Sequence, residues 1–203
     1  MIDAQKSRIS DISKKLRGDF LIDQEKKKEA KQNFDKYLQE GLIKKEKNET
    51  ARAMYLKNAE LSLHLAEECM ESALRPHLWV VVISYYSMFY IANAVLLNLG
   101  YKTGDKIVHK VTSDALIVLV MDKIKKGLLE GYEDAKEDAL EIASIRSEEL
   151  MSFYALEMDK RSRFQYNMTE SIQEQKARTS LKRAREFMLE MQKLLPEFKG
   201  MKL

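Results

Sequence analysis

Positions 79–99 read WVVVISYYSMFYIANAVLLNL, without one charged residue, in a chain where 33% of residues are charged. Such a run is long enough to span a bilayer. Its interior argues otherwise. Ser84, Ser87, Asn93 and Asn98 interrupt it, and Tyr85, Tyr86 and Tyr90 stand in mid-span, whereas membrane tyrosines collect at the interfaces. Pro76 ahead of it and Gly100 behind it suit the entry and exit of a helix. The run therefore predicts a buried central helix, and a helix apolar nearly all round must be covered nearly all round. Several further helices, or a second subunit, have to supply that cover. No membrane association is expected.

Composition agrees with an all-α protein. The 203 residues include only 2 Pro and 7 Gly, and helix interiors tolerate neither well. The length suffices for a full core without staples. The single cysteine, Cys69, rules out an internal disulfide and a cysteine metal cluster. No apolar leader opens the chain, since Lys6, Arg8 and Asp11 come early, so a cytoplasmic location is expected.

Residues 1–22 place Ile2, Ile9, Ile12, Leu16 and Phe20 at helical steps, and residues 24–40 repeat the pattern with Ala30, Phe34, Tyr37 and Leu38 before a stop at Gly41. Both stripes are narrow and highly charged. Residues 1–47 are thus expected to be an N-terminal helical extension, divided by a polar link at 44–48 from a bundle at 48–196, with a tail at 197–203. In the bundle, Tyr55, Ala59, Ser62, Ala66, Met70 and Ala73 form one seam. Residues 101–105 read as a loop. A helix then runs to Lys126, ended by Gly127 behind Lys123, Lys125 and Lys126. Residues 132–158 form an acidic helix with Ala135, Ala139, Ile142, Leu150 and Phe153 inward. Ser171 with Glu174 marks a capping box, and Ala177, Leu181, Ala184, Met188, Met191 and Leu195 form the most regular seam.

Charge is uneven. Residues 129–158 carry 2 Lys/Arg against 9 Asp/Glu, and residues 159–203 carry 11 against 6. The basic end suits phosphate, the acidic segment of a neighbouring chain, or simply a solvated face.

Chemical motifs are few. Seven scattered glycines build no phosphate loop and no dinucleotide turn. His64 with Glu67 is one H-x-x-E pair, where a di-iron bundle needs two such pairs and more carboxylates. No metal or cofactor is expected. One constellation remains, at the break before the last helix, where Arg161, Arg163, Gln165, Tyr166 and Asn167 stand together. Arginine, tyrosine and amides can hold phosphates and stack on a base. The plainer reading is a charged helix end anchored to the core by Phe164 and Tyr166.

The central YYSMFYIANAVLLNLGY resembles the YYAMFHAARALLLEKGY-like helix of HEPN domains, and His109 follows the loop as in that family. Residues 161–166 resemble the family's R-x-x-A-D-Y segment, ahead of a last helix with Ala177, Ala184 and Phe187. The resemblance covers about residues 50–195. It implies an up-and-down helical bundle of four to five core helices, a homodimer, and a link to RNA or nucleotides. Many HEPN proteins are metal-independent ribonucleases, often toxins in toxin-antitoxin pairs with a small nucleotidyltransferase, and their site is an R-x4–6-H motif doubled across a dimer interface. Here no arginine has a histidine at that spacing, and Tyr166 follows Arg161 where a histidine would serve. A phenol that titrates near pH ~10 is a poor general base. The expectation is a dimeric protein that binds a nucleotidyltransferase-type partner, RNA or a nucleotide without catalysis. An active ribonuclease using Arg161 and Tyr166, and a helical adaptor without a nucleic-acid role, are the alternatives.

Overall fold

The computed structural model describes residues 22–154 and 170–198. The expected helix at 1–22 therefore lies outside the described residues, apart from Ile22. Six helices follow in order: α1 (Gln24–Glu40), α2 (Glu49–Glu71), α3 (His77–Asn98), α4 (Val108–Leu119), α5 (Lys126–Tyr154) and α6 (Glu170–Gln192). Two three-residue strands, β1 (Ile43–Lys45) and β2 (Tyr101–Thr103), pair antiparallel with Ile43 opposite Thr103 and Lys45 opposite Tyr101. The protein is all-α around this small ladder.

Helix α3 is the axis. It packs against α2, α4, α5 and α6, and Tyr85, Ile91, Ala92, Ala94, Val95 and Leu96 are fully buried. By length and composition it would cross a membrane, yet 83% of its apolar window is buried inside the protein. Its polar side chains serve the packing. Ser87 Oγ donates to the Ser84 carbonyl at 2.8 Å. Asn93 Nδ2 donates to the Phe89 carbonyl at 2.9 Å, while Asn93 Oδ1 accepts from Thr103 Oγ1 at 2.7 Å and so fastens β2 to the axis. Asn98 Nδ2 reaches the Leu194 carbonyl at 3.1 Å, beyond the end of α6. The bonds of Ser87 Oγ and Asn93 Nδ2 stay inside the helix, whereas Asn93 Oδ1 and Asn98 Nδ2 would lack partners in hydrocarbon. Here each has one within the fold.

The last seam is observed as read, with Ala177, Leu181, Ala184, Met188, Met191 and Leu195 all buried. So is α1. Asp23 Oδ1 caps it by accepting from Lys26 N at 2.8 Å, and Gly41 ends it at φ 70°, a left-handed conformation that glycine adopts at little cost.

Four details differ from the sequence reading. Strand β2 occupies the supposed loop at 101–105, and β1 takes in Ile43 and the first two residues of the polar link at 44–48. The helix expected to reach Lys126 ends at Leu119, and a 3-10 turn at Met121–Lys123 intervenes. Gly127 lies in the first turn of α5 rather than at a helix stop, because an exposed glycine costs little there. Ser171 lies inside α6 rather than at its cap. Ile22, Ala30, Phe34, Tyr37 and Ile43 share one core cluster with α3, so the boundary drawn at 47 runs between elements that pack together. Glu197, assigned to the tail, pairs with the buried Arg52 of α2.

Candidate functional site

Arg161, Arg163, Gln165, Tyr166 and Asn167 lie outside the described residues, as do Phe164 and the side chains of Leu150 and Phe153. The surroundings of that break are described on one side. α6 starts at Glu170, and Arg75 Nη1, just before α3, donates to Glu170 Oε1 at 2.7 Å. Glu170 thus stands beside the N-terminus of the central helix.

The basic charge of α6 is matched within the chain. Arg183 pairs with Asp134 and Lys176 with Asp138 of the acidic α5, both at 2.8 Å. Arg185 pairs with Glu67 of α2 at 2.7 Å. The acidic segment that complements the C-terminal helix therefore belongs to the same chain. Glu67 is taken up in that pair, and His64 faces Glu68 at 3.3 Å, so the H-x-x-E spacing builds nothing. Among the described residues no group of three or more His, Cys, Asp or Glu could hold a metal ion.

The fold brings together a pair that spacing alone did not show. The Tyr85 hydroxyl and His109 Nδ1 lie 2.6 Å apart. The His109 ring packs on Phe89 with centroids 4.7 Å apart, and its edge meets Tyr86 at 6.0 Å. Burial, with the nearby charge of Lys136, lowers the pKa of His109, so the ring is neutral at pH 7. Burial raises the Tyr85 pKa, so the phenol keeps its proton. Lys136 bonds Glu133 at 2.5 Å and Ser113 at 2.9 Å. His109 Nε2 is left without a hydrogen bond among the described residues. The resemblance pointed to His109, but its partner could not be read, since a helix and a turn separate them by 24 residues.

Two further surface features stand out. Trp79, Ile83, Tyr86 and Tyr90, at steps of four, three and four, form the one stripe of α3 left partly exposed, with Trp79 at 53%. Tyr55 of α2 extends it, its ring 6.2 Å from Tyr90. A cleft of about 510 Å³ opens beside the strand pair. Its carboxylates Glu40, Glu46 and Asp105 balance its ammonium groups Lys44, Lys102 and Lys106, which leaves it no net preference for an anion.

The described site and fold define a class: a helical bundle wrapped on an uncharged, tyrosine-rich central helix, with a histidine just past its end. The sequence pattern of the HEPN domain matches residues 53–194. That match covers well over half of the chain, and the protein belongs to the HEPN family. Membership ties it to nucleotide- or RNA-related functions, in a family whose members commonly dimerise and bind nucleic acid. No curated protein and no solved structure matches the chain.

Proposed function

We propose that the protein is a dimeric, non-catalytic HEPN protein that acts by binding RNA or a nucleotide, a nucleotidyltransferase-type partner, or both. The observation that carries this reading is the Trp79–Ile83–Tyr86–Tyr90 stripe on an otherwise covered helix. Aromatic residues in a contiguous apolar patch are what dimer cores are made of, and a second copy of the same stripe is self-complementary about a twofold axis. The missing R-x4–6-H motif supports binding over catalysis. A cytoplasmic site of action fits this role.

Sedimentation velocity at micromolar concentration tests the dimer. The expected species has twice the 23.7 kDa chain mass, and Ile83→Glu with Tyr86→Glu is expected to give monomers. A wild type that sediments as a single chain removes the proposal. Labelled RNA titrated at two salt concentrations tests binding, which should weaken as salt rises.

A second reading, a metal-independent ribonuclease, draws support from one observation. His109 is held neutral with Nε2 unengaged, as a general base requires. Incubation with total RNA in EDTA separates the two, since cleavage would overturn the non-catalytic reading.

A further inference from the structure

A neutral imidazole carries one proton, and the bond made by one ring nitrogen decides whether the other holds it. For His109 that bond joins Nδ1 to the Tyr85 hydroxyl at 2.6 Å. Tyr85 is wholly buried, and His109 is the only group in good hydrogen-bond geometry with its hydroxyl among the described residues. Two arrangements satisfy the distance. If Nδ1 held the proton and donated it, the phenolic O–H would be left in the core with nowhere to donate, and a buried donor without an acceptor is costly. The Tyr132 hydroxyl offers no way out. It makes no hydrogen bond of good geometry itself. Burial raises the Tyr85 pKa, and Tyr132 opposes that rise, as a donor to the Tyr85 oxygen does. A donor cannot take the proton of the phenol. The phenol therefore donates to Nδ1, and the imidazole proton resides on Nε2.

Nε2 lies across the ring from this bond. It has no hydrogen-bond partner among the described residues, yet it is not one of the buried unpartnered atoms, so it reaches the surface of a half-buried ring. Phe89 against the ring and Tyr86 at its edge hold it in that pose. We propose that Tyr85 is a positioning residue that fixes His109 as a neutral N–H donor for an acceptor oxygen of RNA. The donor stands on the geometry alone, and only the choice of RNA rests on the function proposed above. A neutral imidazole N–H suits the task, since it holds an oxygen without itself changing charge. The ribonuclease reading needs a lone pair on Nε2 instead. The bond from Tyr85 leaves none there, so the contact that fixes the donor also withdraws His109 as a base.

Nitrogen-15 NMR of the full chain at neutral pH reads the tautomer without any ligand, and His109→Gln identifies which ring signals belong to His109. The expected spectrum shows a protonated Nε2 and an unprotonated, hydrogen-bonded Nδ1, without averaging between them. Tyr85→Phe keeps the buried ring and removes the hydroxyl, so both nitrogens should move toward the averaged shifts of exchanging tautomers. A proton on Nδ1 in the wild type, or the same two shifts in Tyr85→Phe, overturns the assignment. A short oligouridylate then tests the donor. It should shift the His109 Nε2 signal saturably. His109→Gln, whose amide offers an N–H but no base, should keep most of the affinity, and His109→Phe should lose about tenfold. RNA that binds without moving the His109 signals overturns the donor role and leaves the RNA reading standing. A wild type that binds no RNA removes that reading and the ligand with it, while the tautomer stands on its own spectrum. Cleavage of RNA in EDTA that His109→Gln abolishes would show His109 acting as a base and overturn the proposal.

Discussion

The Tyr37 hydroxyl donates to Asp114 Oδ2 at 2.9 Å, joining α1 to α4 across 77 residues of sequence. Asn33 Nδ2 donates to the same oxygen at 3.1 Å, and Asp114 is only 2% exposed. A buried carboxylate that accepts from two neutral donors is an uncommon way to fasten a helix to a core.

This arrangement carries a pH signature. Burial raises the Asp114 pKa above its ordinary 3.8, and the bonds from Tyr37 and Asn33 only partly offset that. For an acid whose folded pKa is raised, the folded state binds the proton more tightly. The stability this gives is fully present below about pH 4 and is lost as pH rises through the folded pKa. Asp114→Asn keeps an acceptor and removes the titration. Melts at pH 4, 5.5 and 7 should therefore show the variant gaining on the wild type as pH rises. Curves that stay parallel would show that the carboxyl does not titrate in this way.

Removal of residues 1–47 strips Phe34, Tyr37 and Ile43 from the shared core and leaves β2 without its partner. Loss of a buried Phe alone costs about 3–5 kcal/mol, so the truncated chain is expected to melt far below the full chain or without cooperativity. Differential scanning calorimetry of both forms checks this. An unchanged melting temperature would mean that the remainder holds its own core.

His109 titrates in the opposite sense to Asp114. Its pKa is lowered by burial and by Lys136, so its contribution to stability is present above about pH 6.5 and is lost as pH falls through the folded value. Tyr85→Phe removes the bond to Nδ1, which should cost about 1 kcal/mol and free the ring. A carbon-13 NMR titration of His109 in both proteins reads the change directly. An identical ring environment in the variant would count against the pairing.

Gly41 offers a cleaner test of backbone conformation. A Cβ there would meet only Lys44 Cε at an ordinary 3.7 Å, so Gly41→Ala introduces no clash. Its expected cost of about 1 kcal/mol comes from φ 70° alone. Urea melts with an unchanged slope and a lower midpoint would show this.

The elements legible in the sequence were those with a repeating apolar signal. Ala177 to Leu195 could be read as a buried seam because every third or fourth residue agrees, and α3 because charge is absent along its whole length. The ladder of β1 and β2 was not legible. Three residues hold too little alternation to recognise, and Ile43 and Thr103 meet only once the helices between them have folded. Asp114 was passed over for a related reason. Nothing local shows that Tyr37 and Asn33 will arrive to bond it. The candidate residues Arg161 to Asn167 were chosen by side-chain chemistry alone, which says nothing about whether they converge. His77 stands in no motif of the sequence, and only the fold shows that its buried ring nitrogens lack hydrogen-bond partners.

The strand pair has a consequence for the order of folding. It ties residue 45 to residue 101, and the whole α2–α3 hairpin lies in between. Closing so long a segment is entropically costly, so the clasp is expected to form after the hairpin has collapsed. With only three residues on each side, it should also be the first piece to open. Amides in β1 and β2 would then exchange with solvent through local fraying, while those at the centre of α3 wait for the whole molecule to unfold. The clasp is thus expected to close last, on helices already gathered around the uncharged axis.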